Sequence, residues 1–115
     1  MKILTKLELS PQDDGWIVDE DFVVVIDEKI LVIPMGFETD LASTPRFFWP
    51  IFPPFGKWTS AAVIHDYLYR VPSRSRREAD AALYDGCICL GVTKFRAWIM
   101  WAAVRLFGFM SFGGK

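Results

Sequence analysis

Apolar residues change their spacing along the chain, and the change divides it into regions. Over residues 3–9, 22–26 and 30–33 they alternate with polar residues or form β-branched runs, which predicts strands. Residues 11–15 and 27–29, between these runs, have the composition of turns. The pattern therefore favours a small N-terminal antiparallel sheet with one covered face.

The next region, residues 34–58, has neither the period of a strand nor that of a helix. It contains five of the seven prolines and is rich in aromatic residues. Repeated proline excludes a regular helix and a central strand. We expect a long irregular segment that either wraps the core or forms a binding surface.

Helical signals follow. Thr59 or Ser60 is the expected N-cap of a first helix that ends near Arg70. Ser75 and Glu78 have the spacing of a capping box, which predicts the start of a second helix. Because the connection between these two helices is short, they are expected to form an antiparallel hairpin.

A third helix is expected after Gly91, which ends the second one. Thr93 would cap this third helix, which runs to about Phe107, before Gly108. The predicted fold is a single α+β domain of 115 residues. It has strands over 1–33, the irregular segment over 34–58 and helices over 59–108.

Composition narrows the function classes. The formal net charge is −1, so no general attraction to nucleic acid is expected. Cys87 and Cys89 lie two residues apart on a predicted helix and cannot pair with each other, which favours a reducing compartment. The N-terminus has no secretory pattern, and neither a signal peptide nor a membrane span is expected.

The only histidine of the chain, His65, is followed directly by Asp66. Reflection of the sequence about the turn between the first two helices, at residues 72 and 73, places residue 80 opposite residue 65, and residue 80 is Asp80. The pair could be a general base with its orienting carboxylate, or a polar pair that locks two helices. Asp66 is a candidate ligand for a hard cation such as calcium, which would polarise an ester carbonyl.

The arrangement Ala61-Ala62-x-x-His65-Asp66-x-x-Tyr69, with Asp80 on the next helix, resembles the core of phospholipase A2 enzymes. The resemblance implies that His65 is the base, that Asp66 binds calcium and that Asp80 orients the imidazole. The chain departs from that family upstream, where the calcium loop would be glycine-rich and where only Gly56 is present, beside Lys57.

A second resemblance covers nearly the whole chain. Segments 36–46, 65–69, 77–80 and 104–108 look like a phage- and prophage-associated family of unknown function. This resemblance implies a bacteriophage origin, with the protein in the cytoplasm of the bacterial host, in the virion, or in both. It implies no reaction.

Other polar residues are weaker candidates for the site around His65. Asp40 would be a further acid or ligand near His65, or a turn acceptor, and Tyr69 shares the helix face of His65. Arg74, Arg76 and Arg77 would bind an anion or form a solvated face.

The third helix lacks a broad polar face, which favours an interface formed by Trp98, Trp101 and Phe107. Its partners would be phage structural proteins or a second copy of the chain, with peripheral membrane contact as the alternative. The preferred function is assembly in a virion or tail. The alternative is a phospholipase-like or esterase-like hydrolase that uses His65, Asp80 and Asp66.

Overall fold

The structure is a computed structural model, and it describes residues 1–13, 15–39, 58–70 and 75–107, with only the backbone of Phe107. The architecture is α+β, as predicted: antiparallel strands precede three helices. The strands are β1 (Lys2–Ile3), β2 (Leu9–Gln12), β3 (Gly15–Val18), β4 (Phe22–Ile26), β5 (Lys29–Ile33) and β6 (Glu38–Thr39). The helices are α1 (Thr59–Arg70), α2 (Arg76–Cys89) and α3 (Lys94–Phe107).

In the described part of the chain the strands form two three-stranded sheets, in the orders β1-β4-β5 and β2-β3-β6. The predicted antiparallel strands are thus divided between two small sheets. β4 and β5 are joined by Asp27 and Glu28, which both have positive φ, as a tight two-residue hairpin turn requires. Along β4, Phe22, Val24 and Ile26 are buried, so one face of this strand covers the core.

The predicted turn over residues 11–15 is also corrected. Pro11 lies within β2 and pairs with Trp16 of β3. The proline is tolerated because β2 is an edge strand, where its missing N–H costs no ladder hydrogen bond. β6 lies in the segment predicted to be irregular, of which residues 40–57 are outside the described part.

The helix ends follow from local hydrogen bonds. The capping box of α2 is present, with the Ser75 side chain accepting from the Glu78 N–H and the Glu78 carboxylate accepting from the Ser75 N–H. Thr93 Oγ1 accepts from the Arg96 N–H at 3.3 Å, so Thr93 caps α3 as predicted. α1 begins at Thr59, and the Ala62 N–H bonds to the Trp58 carbonyl.

α1 packs on α2, and α2 packs on both α1 and α3. Residues of α1 and α2 join the core formed with β3, β4 and β5, whereas Ala61 of α1 belongs to a second cluster with residues of α2 and α3. The contact with α2 is close, since a Cβ added at Gly86 would lie 2.8 Å from the Ala61 Cβ. None of the described helices is long and apolar enough to cross a membrane.

Candidate functional site

His65 of α1 and Asp80 of α2 meet inside the helical part of the molecule. The imidazole Nε2 lies 2.7 Å from the Asp80 Oδ1, and the two residues are 2% and 0% exposed. The contact predicted by reflection about the α1–α2 turn is therefore present.

Asp80 has further partners on all three helices. The Tyr69 hydroxyl of α1 donates to Oδ1 at 2.5 Å. Arg105 of α3 donates from Nη1 to Oδ2 at 2.9 Å, and the Arg76 Nε of α2 lies 3.9 Å from the same oxygen. The two carboxylate oxygens thus differ, because Oδ1 faces the imidazole and the phenol whereas Oδ2 faces the two guanidinium groups.

The ionisation of Asp80 decides which nitrogen of His65 carries the proton. Burial raises the pKa of Asp80, but hydrogen bonds from His65, Tyr69 and Arg105 outweigh it, so the pKa lies below its ordinary value. An ionised carboxylate only accepts hydrogen bonds, so His65 Nε2 must be the protonated nitrogen. In the neutral ring Nδ1 then carries the lone pair. Nδ1 is buried and has no hydrogen-bond partner within the described residues.

Tyr69 remains a donor in this network. Burial and the neighbouring Asp80 carboxylate raise the pKa of Tyr69 well above its ordinary value. Its hydroxyl accepts from the Arg76 Nε at 3.2 Å, while its ring lies with its centroid 4.1 Å from that of His65. Tyr69, predicted as an additional site residue, is therefore in direct contact with both members of the pair.

Arg76 connects the network to the end of α3. Its Nη2 donates to the carbonyls of Val104 and Arg105 at 2.8 and 2.6 Å. Carbonyls in the last turn of a helix have no partner within the helix, so Arg76 supplies one and places positive charge at the negative end of the helix dipole. Of the predicted anion-binding group, Arg76 has these internal partners, Arg77 is exposed, and Arg74 lies outside the described residues.

Asp66 turns away from this network. Its carboxylate lies 3.3 Å from the Arg70 Nε, and Arg70 also donates to the Glu38 carbonyl at 3.1 Å. Among the described residues, no three acidic, histidine or cysteine side chains gather as metal ligands. A guanidinium beside Asp66 opposes a cation there, so the described residues do not fit the expected calcium site.

An open cleft of about 570 Å³ lies between the β2–β3–β6 sheet and the end of α1. Its walls include Asp13, Trp16, Glu38 and Arg70. No sequence pattern indicated this cleft, because β6 was not predicted and the cleft is lined by Trp16 and Thr39, which pair between β3 and β6.

The family of the chain follows from a sequence comparison. A family model described as "Protein of unknown function (DUF1353)" matches residues 16–104. The chain belongs to this family. The DUF1353 match includes every described member of the polar network except Arg105, which lies one residue beyond it.

One relative is an uncharacterised protein, y4jT, of Sinorhizobium fredii (strain NBRC 101917 / NGR234). It is 37% identical over 78 residues, which are 66% of this chain and 23% of that protein. The chain thus spans less than a quarter of the length of this relative. No solved structure matches. These comparisons give the DUF1353 family no reaction, phage location or partner.

Arg105 is the residue that sequence reasoning missed. The connection from α2 to α3 is residues 90–93, whose centre lies between Gly91 and Val92. Reflection about that centre pairs Asp80 with residue 103, two residues before Arg105. The operation thus indicates the right part of α3 but not Arg105 itself.

The structure says less about the other residues predicted for the site and for the interface on α3. Trp98 is 56% exposed and Trp101 is partly buried. Asp40 and the side chain of Phe107 lie outside the described residues. Their predicted roles in the site and in the interface stay predictions.

Proposed function

We propose that this chain is a hydrolase of ester bonds in which His65 is the general base and Asp80 orients it. One observation carries the proposal: His65 donates from Nε2 to an ionised carboxylate while its buried Nδ1 has no partner among the described residues. A buried acceptor in a polar network needs a donor, and a water or a substrate hydroxyl supplies one.

The proposed chemistry is activation of water. Nδ1 takes a proton from the water, whose oxygen forms a bond to the ester carbonyl carbon. When the tetrahedral intermediate collapses, the C–O bond breaks and the leaving alkoxide takes the proton from Nδ1. Throughout, Asp80 stabilises the imidazolium through Nε2, and Tyr69 holds Asp80 Oδ1 in place.

No step of this mechanism uses a cation, because Asp66 is paired with Arg70. The resemblance to phospholipase A2 still supports the choice of ester substrates, because His65 and Asp80, which it implies as base and orienting aspartate, are in contact. Calcium dependence stays a prediction that the assay below measures directly.

The test is hydrolysis of short-chain carboxylic esters and of phosphatidylcholine and phosphatidylglycerol vesicles, with either calcium or EGTA. His65→Gln is the informative variant, because the glutamine amide can still donate to Asp80 but offers no base. We expect its rate to fall at least about 100-fold, the usual contribution of a general base. Its melting temperature should change little.

His65→Ala is the companion variant. It removes the base and also the hydrogen bond to the buried Asp80, so both activity and melting temperature should fall. Absence of hydrolysis by the wild-type protein on every substrate, or full activity of the His65→Gln variant, would refute the proposal.

A second candidate function is assembly, which the exposed apolar residues of α3 favour. Phe95, Trp98 and Leu106 are 70%, 56% and 67% exposed. Large apolar side chains at this spacing on one helix are typical of surfaces that another molecule covers. Under this proposal the chain acts in a phage particle or tail by burying α3 against a partner or a second copy.

A further inference from the structure

We infer that the cleft between the β2–β3–β6 sheet and the end of α1 binds a neutral saccharide. The cleft has a volume of about 570 Å³. Sites for small ligands typically measure about 300 to 1,000 Å³. No described member of the His65–Asp80 network lines the cleft, so sugar binding there is separate from the proposed hydrolysis.

The aromatic part of the cleft wall is Trp16 of β3. Trp16 pairs with Thr39 of β6, so the two side chains leave the sheet on the same face. Trp16 is half-buried and packs against the core formed with β3, β4 and β5, so its position is fixed before a ligand arrives. A fixed indole offers a flat apolar surface on which the C–H face of a sugar ring can stack.

The polar part of the wall contains both donors and acceptors of hydrogen bonds. Arg70 can only donate, the carboxylates of Asp13 and Glu38 can only accept, and the Gln12 amide does both. The Arg70 guanidinium is held by the Asp66 carboxylate, 3.3 Å from Nε, and by the Glu38 carbonyl, 3.1 Å from Nη1. Hydroxyl groups, which donate and accept, match a wall of this kind.

The charges of the same side chains disfavour an ionic ligand. An anion in the cleft would lie beside Asp13 and Glu38, and a cation would lie beside Arg70. Contact between like charges lowers affinity for either ligand. A mono- or disaccharide meets neither repulsion, and it combines hydroxyl groups with an apolar ring face.

The test follows the indole N–H signals of the five tryptophans by NMR while sugars are added at millimolar concentrations. The neutral probes are maltose, cellobiose, lactose and diacetylchitobiose. Chitobiose is the cationic counterpart, and a glucuronate-containing disaccharide is the anionic one. The Trp16 signal is identified by its loss in Trp16→Phe. We expect at least one neutral sugar to shift this signal to saturation and the charged sugars to shift it less.

Trp98, which is 56% exposed on α3, is the internal control and should not respond. Calorimetry then measures the affinity of the variants for the sugar that binds. Trp16→Leu should weaken binding at least about fivefold, because the stacking surface is lost, and Trp16→Phe, which keeps an aromatic ring, should weaken it less.

Asp13→Ala covers the case in which Trp16→Leu fails to fold, because Asp13 is exposed at the rim of the cleft. Loss of this acceptor should weaken binding about threefold or more. Glu20→Ala is the matched control, with the same charge change at an exposed position outside the described wall of the cleft, and it should bind as the wild type does.

Sugar binding in the cleft is ruled out if no neutral probe shifts the Trp16 signal, or if Trp98 responds as strongly as Trp16. A charged counterpart that binds more tightly than the neutral sugars would also overturn it. So would equal affinity of Trp16→Leu and the wild type or, where that variant does not fold, of Asp13→Ala and Glu20→Ala.

Discussion

Asp80 is the residue on which the polar groups of the three helices converge. It is fully buried, its carboxylate accepts a hydrogen bond from His65, and the guanidinium groups of Arg76 and Arg105 lie beside it. A buried ion pair is not by itself a large source of stability, but removal of one partner leaves charge without compensation. The residue therefore has a structural role whatever chemistry the imidazole performs.

Asp80→Asn should lower the free energy of unfolding by about 3 kcal/mol or more, because two guanidinium groups lose their counter-charge. Asp85→Asn, on the exposed face of the same helix, is the control and should change it by less than about 0.5 kcal/mol. Urea denaturation at pH 7 measures both. Equal stability of the Asp80→Asn and wild-type proteins would mean that the network is not formed.

The difference in free energy of unfolding between wild type and Asp80→Asn should depend on pH. In the folded chain the pKa of Asp80 is below its ordinary value of 3.8. The stability that the Asp80 carboxylate contributes is therefore fully present above about pH 4 and is lost as the pH falls through the pKa of the folded chain. The gap between wild type and Asp80→Asn should therefore narrow in acid. A gap that stays constant from pH 7 to pH 3 would contradict the lowered pKa.

At the scale of the elements, helix boundaries and helix pairing were predictable because the signals are local. The capping box at Ser75 and the length of the turn before it place residues 65 and 80 opposite each other, and the Thr93 cap marks the start of α3. The sheets were less predictable. The pairing of β1 with β4 and of β3 with β6 joins segments distant in sequence, and no turn residue encodes it.

The α1–α2 contact on which the site depends should tolerate no added methyl group at Gly86. A Cβ there would meet the Cβ of Ala61 at 2.8 Å, and that atom cannot move without its helix. Gly86→Ala should thus lower the free energy of unfolding by about 1 to 2 kcal/mol, since overpacking exceeds the gain of about 1 kcal/mol in helix propensity.

Ala81→Gly, at an exposed position of α2, measures the difference in helix propensity between alanine and glycine without a change in packing. It should lower the free energy of unfolding by about 1 kcal/mol. Ala61→Gly combined with Gly86→Ala removes the steric conflict and should recover part of the loss. If Gly86→Ala is as stable as the wild type or more stable, the helices are farther apart than the structure has them.

At the scale of the whole molecule, the polar network and the apolar surface lie on the same helix. α3 directs Arg105 towards Asp80 and also presents Phe95, Trp98 and Leu106 outward. A molecule that covers the outer face of α3 would therefore act on an element that contacts Asp80, the partner of the proposed base. The two candidate functions are thus linked through one helix, and they need not exclude each other.

The apolar surface of α3 gives the last prediction. If a second copy covers it, the purified chain should form a concentration-dependent oligomer by light scattering, and Trp98→Ser should shift it towards the monomer by removing a large apolar contact. Ile30→Ser is the control, since Ile30 is 70% exposed but lies on β5. A monomer at all concentrations, or an oligomer that Ile30→Ser weakens as much as Trp98→Ser does, would rule out self-association through α3 and leave a different partner to be sought.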